Sequence, residues 1–289
     1  MPSLKDLRNR IDSVKSTKKI TQAMKMVAAS KLKKAQSLAE KSRGYSAGVE
    51  DIVKKLVLSE DCLDHPLIAK DKKEIQKSLV IVVSSDRGLC GGLNTNVLRT
   101  SLNQIKSWEK EGKKVQIAAI GTKGFSFMNR VGADVKSNIT GLGDTPHLND
   151  LIGSIKVMLD SYINGEIDQL YICFTKFINT MKQEPIMDQV LPLNGEKIGA
   201  PEGPWDYIYE PTADAVIEEL LKRYIESIIY HAVAENMASE QSARMVAMKA
   251  ASDNAVNVID ELTLVYNKAR QAAITKEISE IVGGAAAVS

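Results

Sequence analysis

Between Ser3 and Val57 the residues Leu4, Leu7, Ile11, Val14, Met24, Val27, Ala28, Leu32, Ala35, Ala39, Tyr45, Val49, Ile52 and Leu56 recur at steps of three and four. That spacing gathers apolar side chains into one stripe of a helix, and Ser3 is a good residue to cap its start. Near the other end Met245, Met248, Ser252, Ala255, Ile259, Leu262, Tyr266, Ala269 and Ala273 keep a strict three-four alternation, the seam of a coiled coil, in a helix that should begin near Thr212, after Pro211. At 1.5 Å per residue the two helices would be about 80 Å and about 105 Å long. A helix with one apolar stripe draws its stability from a facing stripe, so the simplest partner for each is the other, in an antiparallel two-helix coiled coil. Many seam positions are Ala, Ser or Met, which permit close approach but bury little area; such a pair needs a surrounding partner.

Proline and glycine divide the chain further. Seven of eight prolines lie between Pro66 and Pro211, and only Gly44, Gly48, Gly283 and Gly284 of eighteen glycines fall outside that window. Because both residues interrupt helices, three regions follow: a helical segment over 1–60, a mixed segment over 61–211 and a helical segment over 212–289. Within the middle, Ser78–Ser85, Val115–Gly121 and Gln169–Phe177 read as buried strands and Asn94–Glu111 and Leu148–Asn164 as helices. This alternation predicts a largely parallel sheet, so the fold class is α/β, with a Rossmann-like domain inserted between the two coiled-coil helices. Met187–Leu193, after Pro185, would add an edge strand, and Asn194–Pro211 would connect to the last helix.

The net charge of +2 calls for no particular partner, but its distribution is uneven. Residues 1–57 hold 14 Lys or Arg against 5 Asp or Glu, and residues 212–289 hold 7 against 11. Lys15, Lys18, Lys19, Lys25, Lys31, Lys33 and Lys34 form a basic face without the aromatic residues that stack on nucleic acid, which favours an acidic protein or solvent. Cys62, Cys90 and Cys173 fit neither a disulfide framework nor a zinc pattern, and His65, His147 and His231 are scattered, so no metal site is expected. No signal peptide or membrane-spanning run is evident. The turn Asp86–Asn94 (DRGLCGGLN) places glycines after a strand, as phosphate-binding loops do. Its spacing is nonetheless neither that of a dinucleotide fingerprint nor that of a P-loop, and it is expected to be a tight strand-to-helix turn that holds no nucleotide or other cofactor. Cys90 in that turn is expected to be a buried small residue rather than a nucleophile.

Three separated blocks carry a resemblance. Lys19–Gln36 (KITQAMKMVAASKLKKAQ), Glu240–Ala255 (EQSARMVAMKAASDNA) and Ile274–Ala287 (ITKEISEIVGGAAA) resemble the ATP synthase gamma family, as does GLCGGLN over Gly88–Asn94. In the last block Ile274, Thr275, Glu277, Glu280, Gly284 and Ala285 stand at the places of the family's C-terminal signature. The resemblance implies a rotor without a catalytic site of its own. Its two terminal helices would turn inside a hexamer of alpha and beta subunits, with the α/β domain against the epsilon subunit and the membrane c-ring. It further implies that Arg270 and Gln271 form a catch contact with a beta subunit, that Met24, Arg244, Gln271 and Thr275 form a coupling cluster, and that Lys18, Lys19 and Lys25 meet acidic segments of the beta subunits. The expected location is the cytoplasmic face of a bacterial inner membrane, held there only through the complex, with no nucleic acid bound.

Overall fold

The computed structural model describes residues 3–57, 67, 75–193, 210 and 212–288. The first helix, α1, runs over Leu4–Val57. Its start is closed by a reciprocal cap in which the Asp6 amide donates to Ser3 Oγ at 3.1 Å and the Ser3 amide donates to the Asp6 carboxylate at 3.2 Å, so two amides that lack helical partners are satisfied. Then come β1 (Lys77–Val83), α2 (Leu93–Lys110), β2 (Lys114–Ile120), α3 (Thr122–Val131), β3 (Asp134–Ile139), α4 (Leu148–Ile163), β4 (Gln169–Phe177) and β5 (Gln183–Leu191). The last helix, α5, spans Ala213–Val288. The chain forms two compact units, one of Met1–Ala28 with Met245–Ser289 and one of Ala29–Arg244.

In the larger unit the five strands lie in the order β3-β2-β1-β4-β5. β1, β2, β3 and β4 are parallel, and β5 is antiparallel to β4. β1 is central, and every residue from Ser78 to Val83 is buried. Leu79, Ile81 and Val83 point to one core, shared with α4 and with Val49, Val53, Leu221 and Ile225 of the long helices. Val80 and Val82 point to the other core, with Val97, Leu98 and Trp108 of α2 and Met128 of α3. Burial on both faces explains the unbroken apolar run of a parallel strand. α5 is enclosed on all sides over Ala232–Ser239, where eight successive residues are buried. Ser42 Oγ lies 3.0 Å from His231 Nδ1 and Ser46 Oγ donates to the Ser227 carbonyl at 3.2 Å; the partner number falls as the α1 number rises, so the helices run antiparallel here.

The structure corrects several expectations. α3 and β3 were not anticipated, because β3 (DVKSNI) alternates exposed and half-buried residues at a sheet edge and so lacks an apolar run. β5 begins before Pro185 rather than after it, which is allowed because that strand is an edge. Along α1 the face turned inward is a strict heptad of Leu4, Leu7, Ile11, Val14, Lys18, Thr21, Lys25, Ala28, Leu32, Ala35, Ala39, Ser42, Ser46, Val49 and Val53, all buried or half-buried. Val27, Tyr45 and Ile52 are instead exposed. Two of the polar members fit because they satisfy themselves locally, Thr21 Oγ1 donating to the Lys18 carbonyl at 3.0 Å and Ser42 Oγ to the Ala39 carbonyl at 2.9 Å, while Ser46 reaches the Ser227 carbonyl of α5. Val53→Ala should therefore cost about 2 kcal/mol, whereas Ile52→Ala should cost less than about 0.5 kcal/mol. Urea unfolding of the two variants distinguishes this register from the one that counts Ile52. Cys62 and the segment 194–211, apart from Glu210, lie outside the described residues.

Candidate functional site

The carboxyl end of β1 is built around three polar side chains. Ser84 Oγ donates to the Ile120 carbonyl at 3.1 Å and accepts from the Gly124 amide at 2.7 Å, joining β1 to β2 and α3. Asn94 accepts from the Ser85 amide at 3.0 Å and donates to Ser85 Oγ at 2.7 Å and to Cys90 Sγ at 3.3 Å, which holds the turn closed with Cys90 buried. Asp86 accepts from the Thr122 amide and hydroxyl at 2.9 Å and 2.8 Å and from the Gly141 amide at 3.0 Å. Partial burial alone would raise its pKa, but the donors from Thr122, Gly141 and Leu142 together hold it below the ordinary value of 3.8. The sign follows from that direction: Asp86 contributes stability above pH 3.8, and the contribution is lost as pH falls through its lower folded pKa. Asp86→Asn should accordingly cost about 1 kcal/mol at pH 7 and give a stability curve that is flatter than wild type below pH 4. Denaturant melts of both proteins across that range provide the check.

Sheets of this strand order seat ligands in the crevice at the carboxyl ends of the strands flanking the switch point, here β1 and β4. In this chain that place is taken by α5. β1 pairs with β4 only from Gln169 to Cys173, so beyond Cys173 the β1-side edge of β4 has no strand beside it. Side chains of α5 supply the missing partners. Asn236 Oδ1 accepts from the Thr175 amide at 3.3 Å, Ser239 Oγ donates to the Thr175 carbonyl at 3.0 Å, and Glu235 Oε2 accepts from the Phe177 amide at 2.9 Å. Further along, Ser242 Oγ donates to the Thr180 carbonyl at 2.8 Å. Arg244 Nη2 donates to the Arg87 and Gly88 carbonyls at 3.3 Å and 3.2 Å and pairs with Glu240 at 2.6 Å. The Glu235 side chain is 1% exposed, and its other oxygen pairs with Arg43 of α1. His231 Nε2 lies 3.7 Å from the same oxygen. Burial first, and then the cations Arg43 and Lys176, hold the His231 pKa below 6.5 against the pull of Glu235.

The residues singled out from the sequence fall in several places. Arg270 and Gln271 are exposed and follow Ala269, the last half-buried seam position of α5; Ala273, expected in the seam, is exposed. Ile274, Thr275, Glu277, Glu280 and Gly284 are exposed as well, and the side chain of Ala285 lies outside the described residues. Met24 is half-buried. Of the four coupling-cluster residues, Arg244 belongs to the larger unit and Met24, Gln271 and Thr275 to the smaller one. Lys18 and Lys25 are half-buried at heptad positions of α1, and Lys19 is exposed. Lys31 pairs with Asp144 at 2.7 Å.

A family model described as ATP synthase matches residues 3–288. A curated chain from Methylobacillus flagellatus, named ATP synthase gamma chain, is 64% identical and covers all of both chains; another of that name from Nitrosomonas europaea is 57% identical over the same full extent. The chain belongs to the ATP synthase gamma family. Its role in that family is that of the central rotor shaft, which couples rotation to ATP synthesis in a rotary enzyme associated with the membrane. Among solved structures, a chain of the Tetrahymena thermophila mitochondrial ATP synthase central stalk and c-ring matches with a TM-score of 0.62 at 27% identity, covering 81% of this chain and 99% of that one. A chain of the Euglena gracilis mitochondrial ATP synthase matches with a TM-score of 0.69 at 20% identity, covering 99% and 94%, and bears on the fold alone. Among the described residues of this gamma-family chain, no helix is long and apolar enough to cross a membrane.

Proposed function

We propose that this gamma-family chain is a non-catalytic subunit whose helical segments over 1–60 and 212–289 turn inside a ring of alpha and beta subunits. Its α/β segment over 61–211 rests on the epsilon subunit and the c-ring. The complex stands on the cytoplasmic face of a bacterial inner membrane. The observation that supports this reading best is the tip of α5: from Arg270 to Gly284 every residue is exposed, including Ile274, Ile278, Ile281 and Val282. A helix this long without a facing stripe is not stable in water by itself, and a row of large apolar residues calls for a protein around it. In this reading Arg270 and Gln271, at the start of this exposed end, make the catch contact with a beta subunit, and Ile274, Thr275, Glu277, Glu280, Gly284 and Ala285 belong to the same enclosed end. Lys19, which is exposed, and the solvent-reaching ammonium ends of the half-buried Lys18 and Lys25 meet acidic beta-subunit segments, where charge complementarity sets register more than affinity. Met24, Arg244, Gln271 and Thr275 then act on coupling through the rigid helix and its enclosing ring.

Purification of the tagged chain from its host membranes should recover one copy per three beta-type ATPase subunits, and ATP should drive rotation of a probe attached to the α/β segment. Recovery of the chain alone, or an immobile probe on an active hexamer, would overturn the proposal.

A further inference from the structure

A sheet and a helix packed only through apolar side chains can slide or twist against one another, because such contacts have no fixed direction. The contact of α5 with β4 is of another kind. β4 runs past the end of its β1 partner, and the amide and carbonyl of Thr175 and the amide of Phe177 are taken up by Asn236, Ser239 and Glu235. These groups are directional and buried, so displacement of the helix by even part of a residue leaves them unpaired in a low-dielectric setting. Glu235 also reaches the opposite way, to Arg43, so one buried carboxylate ties β4, α5 and α1 together. Ser242 and Arg244 extend the row to the hairpin and to the turn after β1.

We infer that this row, Glu235, Asn236 and Ser239 with Arg43 on the facing helix, is the place where torque passes between the sheet and the helix pair. The inference rests on the rotor reading above. The four are positioning residues: they touch no reacting group but hold the sheet at a fixed angle to the helices under load. Apolar packing over Ala232–Met237 keeps the parts together; the polar row keeps them from turning.

The test uses the assembled complex in vesicles, with an Asn236→Leu/Ser239→Ala double variant and with Arg43→Gln and Arg43→Lys. Three quantities are read: ATP hydrolysis rate, the opposing proton gradient at which ATP-driven pumping stops, and the angular fluctuation of a probe on the α/β segment when the rotor is stalled. The double variant and Arg43→Gln should hydrolyse ATP near the wild-type rate, pump only against a smaller gradient, and show angular variance raised at least about twofold, because a directional network is lost while packing is kept. Arg43→Lys should restore most of both. Wild-type variance and stall gradient in the variants, or an Arg43→Lys as defective as Arg43→Gln, would overturn the inference. If the double variant does not assemble, the Arg43 pair decides alone, since that side chain is 58% exposed and Arg43→Lys keeps a cation for the buried Glu235, which separates the lost network from lost stability. A wild-type complex whose probe does not rotate would instead remove the rotor reading.

Discussion

Gly121→Val is expected to leave the α/β part of the chain unfolded. Gly121 follows β2 with φ at +96°, where a side chain is already strained, and a Cβ built there would stand 2.2 Å from the Ser84 carbonyl oxygen and 2.7 Å from its carbon. Those atoms are main chain and cannot rotate away. Ser84 is also fixed from three sides, its amide donating to the Ile120 carbonyl at 2.8 Å and its hydroxyl serving Ile120 and Gly124. Relief would require parting β1 from β2 at the centre of the sheet, at a cost of about 4 kcal/mol or more. Gly132→Ala is the informative control: φ is +80° but nothing lies within 4 Å, so only the backbone term remains, about 1 kcal/mol. Urea unfolding should show a large loss for the first and a small one for the second. Near-equal midpoints would mean that the close approach of the two strands is not what requires glycine at 121.

The contrast between β1 and β3 shows what the sequence makes legible. From Ser78 to Val83 β1 is buried on both faces, so each of those positions is apolar or small and the strand announces itself. β3 is an edge strand with water along one side, and its residues DVKSNI carry no signal stronger than that of a loop. The long helices are a mixed case. Their existence, direction and length follow from proline and glycine placement and from three-four spacing, but the inward row of α1 was misread at Val27, Tyr45 and Ile52. Hydrophobicity alone assigns the seam differently, whereas the true register accepts Lys18, Thr21, Ser42 and Ser46, because Thr21 and Ser42 bond back to their own helix, Ser46 bonds across to the Ser227 carbonyl, and lysine stems can lie along a seam. Strict heptad counting from Leu4 and Leu7 gives the observed face.

The candidate site was legible in a different way. Arg270, Gln271 and the signature from Ile274 to Ala285 came from resemblance, since exposed residues on a lone helix have no physical pattern of their own. The row on β4 was missed. Its signal is present in the sequence, for Ala232–Ser242 reads AVAENMASEQS, and the polar residues Glu235, Asn236, Ser239 and Ser242 fall at steps that place them on one side of a helix. In a segment whose other residues up to Ser239 are all Ala, Val or Met, such a row indicates buried polar contacts to a backbone edge rather than a solvated face. Which backbone it meets depends on the strand order, and that was fixed only by the fold.

Arg244→Ala should destabilise the protein by about 3 kcal/mol at neutral pH, and the loss should shrink on acidification. Glu240 and Arg244 pair at 2.6 Å with side chains only 13% and 12% exposed. Burial raises the Glu240 pKa above the ordinary value of 4.5, Arg244 opposes that rise, and Asp86 and Asp144 add to it. Because the net folded pKa is raised, the contribution of Glu240 is most favourable below pH 4.5 and is lost as pH rises through the folded pKa. Removing Arg244 takes away the one opposing cation, so the carboxylate must either take up a proton, at a cost that grows with pH, or stay charged without a partner, at a fixed cost that caps it. The carbonyls of Arg87 and Gly88 lose a donor too, but they lie near the surface where water replaces it, so the pH-dependent part belongs to Glu240. Urea midpoints should thus differ widely between wild type and variant at pH 7.5 and approach one another near pH 4.5, and Glu240→Gln added to Arg244→Ala should recover most of the stability lost at pH 7.5. A deficit of the same size at both pH values would show that Arg244 acts by packing, with its charge immaterial to the pair.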